Sequence, residues 1–194
     1  MIINLLLFNK ISIFEKIFMY LETLLTEITQ TLSGMQIPYM LTGSLAYNIY
    51  SIPRATRDID LIIEMKEKDI EVFLHYIKNK YYYSEQTIRE EVKRKGMFNI
   101  IHLESSYKID LIVHTNDIFE VAKFHRRKRF KIFKNEIYVI TAEDLIISKL
   151  RWIQILESEL HKRDITILLK NPAIDLEYIK QWCHKLNLKT FDLI

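Results

Sequence analysis

The sequence holds one cysteine, Cys183, in 194 residues. It can therefore form no internal disulfide and no cysteine-based zinc site, and a reducing cytoplasm is the expected location. Glycine and proline are also scarce, with three of each, so few positions accept unusual backbone cheaply. An excess of charge of one sign is missing too. The 28 Lys and Arg against 25 Asp and Glu leave a formal net charge of +3, too small for a general nucleic-acid binder, so any basic partner surface has to arise by local clustering. The six histidines (His75, His102, His114, His125, His161, His184) show no H-x-x-x-H spacing, which argues against a histidine metal site. A membrane signal is lacking as well. The apolar stretch Met1–Tyr20 is interrupted by Asn9, Lys10, Glu15 and Lys16, has no basic lead and no small-residue cleavage site, and is too short to span a bilayer. The expectation for 1–18 is an appended helix or dimerisation segment, with initiation at Met19 as the alternative.

What remains is an ordinary globular composition, 49% hydrophobic and 27% charged. The length suits one domain or a compact core with a helical appendage. Apolar spacing predicts a helix over 21–33 stopped by Gly34, a strand over 37–41, a turn at Thr42-Gly43-Ser44, and a helix over 45–50 ended by Pro53. A strand at 58–64 and an amphipathic helix at 66–78 follow, then a strand from Tyr81. The polar stretch 87–95 reads as a loop or hairpin arm. Strands at 98–103 and 108–113, a helix at 116–124, a hairpin around Lys134-Asn135, and helices opening at Thr141, near Arg163 and near Asp175 complete the chain. The fold class expected is α/β with a mixed sheet, divided into a core over 19–125 and a hairpin plus helical C-terminal part over 126–194.

Chemistry concentrates between Leu41 and Ile63. A strand ends at Gly43-Ser44 where a helix starts. Glycine lets phosphate oxygens approach the backbone, and the free N–H groups of the helix start favour an anion; Ser44 adds a hydroxyl. Asp58 and Asp60 are two apart on a strand, so their carboxylates share one face while Ile59, Leu61 and Ile63 share the other. The cadence Asp58-Ile-Asp60-Leu-Ile-Ile63 recurs as Lys108-Ile-Asp110-Leu-Ile-Val113. If those strands are neighbours in register, Asp110 joins the pair. Two unit charges about 4 Å apart repel by roughly 4 kcal/mol at an effective dielectric near 20, so three carboxylates call for a counterion. Hard oxygen ligands with room for phosphate oxygens suit Mg²⁺, with Mn²⁺ as an alternative.

Gly43-Ser44 followed by Asp58-x-Asp60 on a strand resembles the signature of the polymerase-β-like nucleotidyltransferase superfamily. The likeness covers about 37–113 and includes Asp110 as third acid. Within it, Pro53-Arg54-Ala-Thr56-Arg57-Asp58-Ile-Asp60 is similar to the abortive-infection toxin branch of bacterial nucleotidyltransferases. Asp144-Leu-Ile-Ile-Ser-Lys149 and Lys162-Arg163-Asp164 resemble that branch's later motifs. The resemblance implies a nucleotidyltransferase-like core that transfers a nucleoside monophosphate from a nucleoside triphosphate such as ATP to an acceptor, with release of pyrophosphate. It implies Asp58, Asp60 and Asp110 as metal-binding catalytic acids, and Asp110 also as proton acceptor from the attacking hydroxyl. Gly43, Ser44, Arg57 and Lys149 would hold nucleotide, with Asp144 and Asp164 in support. The acceptor classes are RNA (including tRNA), a protein or a small molecule, and a toxin would imply a partner antitoxin protein.

Blander readings stand beside these. Asp110 also suits a strand-edge acid paired with Lys108 or Arg57, Lys149, among Ile146, Leu150 and Ile153, a snorkelling surface lysine, and Asp144 a helix N-terminal charge. The run His125–Lys131 is the one dense basic segment, either a solvated face or an RNA surface. Tyr81, Tyr82 and Tyr83 could stack on bases, though strand packing is the simpler use. The alternative function is a catalytically silent nucleotide-sensing or interaction module.

Overall fold

The computed structural model describes residues 20–133 and 135–194; the segment 1–18, Met19 and Lys134 lie outside them. Residues 20–34 form helix α1, which buries Leu24, Leu25, Ile28 and Leu32 at helical spacing. Strand β1 (Tyr39–Thr42) then runs straight into α2 (Gly43–Tyr50). The turn expected at 42–44 is thus absent, because Thr42 is already the last strand residue and Gly43 the first helical one. β2 is Asp58–Ile63. The helix expected over 66–78 is a 3₁₀ turn (Glu67–Asp69) followed by α3 (Ile70–Ile77), and β3 is Tyr81–Tyr82.

The polar stretch read as a loop is helix α4 (Glu85–Arg94). Its composition misled because only Ile88 and Val92, one turn apart, and Glu91, whose carboxylate accepts the Met97 N–H, face inward. Local signals nonetheless fix both ends. Ser84 Oγ accepts the Thr87 N–H at the start, and Lys95 takes a left-handed conformation at the stop (φ 55°).

Beyond it come β4 (Met97–His102), β5 (Lys108–Val113) and α5 (Ile118–His125), capped by Asp117. β6 (Lys128–Ile132) and β7 (Asn135–Val139) form the expected antiparallel hairpin. The chain closes with α6 (Ala142–Ile155), α7 (Glu159–Leu168) and α8 (Leu176–Lys185). Thr141 caps α6 by accepting the Asp144 N–H, as its position in the sequence suggested.

All strands among the described residues join one mixed sheet in the order β3-β4-β5-β2-β1-β7-β6. The two site-bearing strands, β2 and β5, are parallel and central, and β1 and β7 are the other parallel pair. One face of the sheet is apolar at its centre: Ile59, Leu61, Ile63, Ile109 and Leu111 are fully buried, and Phe73 of α3 meets Phe98 of β4 edge-on at 6.1 Å. The other face carries the acids at one end, and α6 packs beside α2, α7 and α8 around it. No helix among the described residues is long and apolar enough to cross a membrane.

Candidate active site

The junction of β1 and α2 sets the site. Gly43 has φ 65°, in the left-handed region, and a Cβ there would lie 1.9 Å from Asp60 Oδ2. Glycine is therefore required twice, for the backbone angle and for the space. The next amide, Ser44 N–H, donates to the Asp60 carboxylate. Thr42 faces Asp60 across the antiparallel β1–β2 pair.

β2 and β5 run in register with Asp58 opposite Lys108 and Asp60 opposite Asp110. Asp58, Asp60 and Asp110 are thereby brought to one sheet face, as the repeated cadence required. Lys108 belongs to the same group, in keeping with the blander reading that paired Asp110 with Lys108 or Arg57. Its Nζ is 2.8 Å from Asp110 Oδ2 and 3.8 Å from Asp58 Oδ1, so an ammonium already offsets part of the repulsion. The hydrogen bond to Asp110 in turn raises the lysine's pKa. The compensation is incomplete. Burial first, and then the charges of Asp110 and Asp58, push the Asp60 carboxyl up to about 6. Asp110 is buried, and its Oδ1 has no hydrogen-bond partner.

A second cluster closes the cleft from the helical side. Asp164 of α7 is buried, and its Oδ2 accepts from Lys149 Nζ at 2.8 Å and Arg54 Nη2 at 3.1 Å. The same Arg54 nitrogen donates to Ser44 Oγ at 3.0 Å, tying this cluster to the start of α2. Asn48 fixes the Arg54 backbone through both its amide groups, at 2.8 and 3.0 Å. The Tyr47 ring lies near both cations, 5.4 Å from Arg54 Cζ and 5.7 Å from Lys149 Nζ. Lys149 is buried rather than snorkelling, and that burial lowers its pKa against the raising effect of Asp164. The cleft enclosed holds about 470 Å³ and is lined by Gly43, Ser44, the three acids, Lys108, Lys149, Trp152 and His161 among others. That volume suits a nucleotide-sized ligand.

His161 is a cleft residue that sequence reasoning missed. Burial lowers its pKa, helped by Lys149, and its Nδ1 is buried with no hydrogen-bond partner. The available signal was its place three residues before Asp164, hence on the same face of α7.

Other singled-out residues lie elsewhere. Arg57 is exposed and is not among the cleft residues. Asp144 is fully buried at the start of α6, held by Tyr178 Oη at 2.7 Å, Thr141 Oγ1 at 2.8 Å and Arg126 Nε at 3.1 Å. It supports the packing of α8 and not the cleft. The basic run is largely engaged within the chain: Arg126 also stacks on Tyr178, Arg127 on Phe124, and Arg129 bonds Tyr138. Tyr81 is buried against His102, whereas Tyr82 is exposed.

No family model and no curated protein matches the chain. Solved structures do. An antigenic nucleotidyltransferase-like protein from Paracoccidioides brasiliensis superposes with a TM-score of 0.55 at 16% identity, over 85% of this chain and 88% of that one. The solution structure of the antibiotic-resistance factor ANT(2'')-Ia gives a TM-score of 0.56 at 11% identity, over 85% and 90%. The protein therefore has a nucleotidyltransferase-like α/β fold.

Proposed function

We propose that the protein is a metal-dependent nucleotidyltransferase that moves a nucleoside monophosphate from a nucleoside triphosphate to an acceptor hydroxyl. The observation that carries this reading is the in-register pair Asp60–Asp110 beside Gly43, with one buried carboxylate oxygen of Asp110 lacking any partner. Unsatisfied buried oxygens of this kind are costly unless a ligand completes them.

The donor set fits a divalent cation. Among the described residues no three His, Cys, Asp or Glu side chains form a ready-made metal cage. Mg²⁺ needs none, since it commonly binds through one or two carboxylates and takes its remaining ligands from water and substrate phosphates. Asp60 and Asp110 supply hard oxygens, and Asp58 can join them as Lys108 swings aside. When bound, such an ion neutralises charge on the transferring phosphoryl group.

The chain's own residues do the rest. Gly43 leaves space for the Asp60 carboxylate, and the Ser44 hydroxyl and the helix start of α2 bind phosphate oxygens beside it. Lys149 and Arg54, held by Asp164, place positive charge where the leaving pyrophosphate accumulates negative charge. The acceptor oxygen bonds to the α-phosphorus as the bond from that phosphorus to the bridging oxygen breaks, and Asp110 takes the hydroxyl proton. Arg57, exposed outside the cleft, would act only by steering.

The finer placement in the abortive-infection toxin branch rests on the motifs from Pro53 to Asp60 and on the Lys149–Asp164 pair. It carries RNA, tRNA or protein acceptors and an antitoxin partner as expectations. Growth arrest on expression, relieved by Asp60→Ala, tests it; unimpaired growth at high expression overturns it.

The first test of the nucleotide site needs no acceptor. Thermal unfolding is followed with each nucleoside triphosphate, with and without Mg²⁺, for wild type and Asp60→Ala. A ligand at 100 times its Kd adds about 2.7 kcal/mol, a midpoint rise of roughly 5–10 °C for a chain of this size. A Mg²⁺-dependent rise lost in Asp60→Ala supports the reading. No rise with any nucleotide transfers the case to the silent module.

A further inference from the structure

The sheet face that bears the acids changes character along its length. Two residues beyond Asp60 and Asp110 on the same strands stand Ile62 and Ile112, and Met97 is the cross-strand partner of Ile112. Successive same-face residues are about 7 Å apart along a strand. This apolar floor therefore begins one step from the carboxylates. Over it lies a second cleft of about 500 Å³, roofed by Trp152 and Ile155 of α6. Thr42, Met97, Ile112, Ser148 and Trp152 line both clefts, so the two are continuous.

The charges of the second cleft are mostly spent on one another. Arg151 Nη1 lies 3.1 Å from both Asp117 Oδ1 and Glu120 Oε1, and Lys95 Nζ bonds Asn116. Lys123 is buried and equally engaged, with Nζ 2.8 Å from both Glu120 Oε1 and Oε2 and 3.5 Å from Ser148 Oγ, so its three ammonium protons have partners. Trp152 is 51% exposed and Met97 also 51%, although both flank a cleft. Exposed apolar surface lining a concavity marks a binding site rather than packing.

We propose that this second cleft holds the acceptor. The acceptor is a small molecule with a flat apolar body that stacks on Trp152 and a hydroxyl that reaches the carboxylates past Thr42. The proposal rests on the nucleotidyltransferase reading of the first cleft. A polyanion such as RNA fits this cleft poorly, because phosphate binding needs several free cations, and with Arg151 and Lys123 paired to carboxylates Lys95 alone of the lining cations has no acid partner among the described residues.

The probe is 8-anilinonaphthalene-1-sulfonate, an aromatic anion of suitable size, titrated by fluorescence with the full chain. The expected result is one saturable site, weakened about tenfold in Trp152→Ala and largely kept in Trp152→Phe. Val72→Ala, an exposed apolar position on α3, leaves it unchanged. Saturating ATP with Mg²⁺ does not displace the dye. Equal dye affinity in wild type and Trp152→Ala overturns the proposal. Competitive displacement by ATP also overturns it, and makes the cleft the nucleobase pocket. The nucleotide reading is judged separately, by the Mg²⁺-dependent thermal shift of the same samples without dye. A dye site without any nucleotide shift sinks that reading, and the acceptor assignment with it.

Discussion

Two buried carboxylates on the C-terminal helices, Asp144 and Asp164, have opposite surroundings. Asp144 has both oxygens occupied, Oδ1 by Tyr178 and Oδ2 by Thr141 and Arg126. Asp164 gathers two cations on one oxygen, and one of them, Lys149, lines a cleft whose own acids are undercompensated. The first is a closed knot that fastens α8 to α6. The second holds Lys149 and Arg54 ready for a charge that the chain does not supply. Buried polar groups that are fully satisfied serve the fold, whereas those left open point to a ligand.

The comparison breaks most visibly at Asp144. Asp144→Ala strips Arg126 and Tyr178 of their shared acceptor and is expected to cost about 3–5 kcal/mol, measured by chemical denaturation, while surviving folded protein keeps its Mg²⁺-nucleotide shift. A loss of nucleotide response with unchanged stability would merge the two regions. Asp60→Asn should do the reverse, removing the ligand-induced gain of about 2.7 kcal/mol at 100 times Kd with apo stability equal or higher. Lower apo stability would show the carboxylate to be a structural group.

Acidity sharpens the same contrast. Asp60 holds its proton more tightly when folded, up to about 6 against 3.8 ordinarily. Between those values the folded state binds more protons, so this group stabilises the apo protein as pH falls from 7 toward 5, and that contribution is lost as pH rises through 6. Protonation competes with metal, so the Mg²⁺-nucleotide shift should shrink as pH falls through 6. Asp60→Asn should flatten the apo contribution; an unaltered pH profile contradicts it.

Gly43→Ala should cost about 1–3 kcal/mol through its strained backbone angle and displace Asp60, lowering nucleotide affinity; wild-type affinity would mean that the Asp60 contact is dispensable. Arg129→Ala is the smallest case, within about 0.5 kcal/mol, since its bonds to Tyr138 are exposed. A large fall in stability there would make the basic run structural to a degree its exposure does not suggest.

Much of this was legible before any coordinates. Alternation at 58–63 and 108–113 gave both central strands and put three acids on one face, because a period of two leaves no other choice. The helix at 85–94 was not legible from polarity, since two inward apolar residues one turn apart are too faint against a buried glutamate and seven outward polar residues; its caps were the better guide. The clustering of Arg54, Lys149 and Asp164 joins positions up to 110 apart in sequence, which local spacing cannot encode. Lys108 was in plain view as the first residue of the repeated cadence. Its role among the acids depends on β2 and β5 being parallel and in register, which only the sheet reveals.

The central position of β2 and β5 also bears on how the molecule breathes. Each has a hydrogen-bonded strand on both sides, so their amides should exchange with solvent deuterium only when most of the sheet opens. The carboxylates thus ride on the slowest-exchanging part of the protein. Any widening that admits a substrate has to come from the other wall, where α6 ends in the exposed Ile155 and Leu156, and amides there should exchange orders of magnitude sooner.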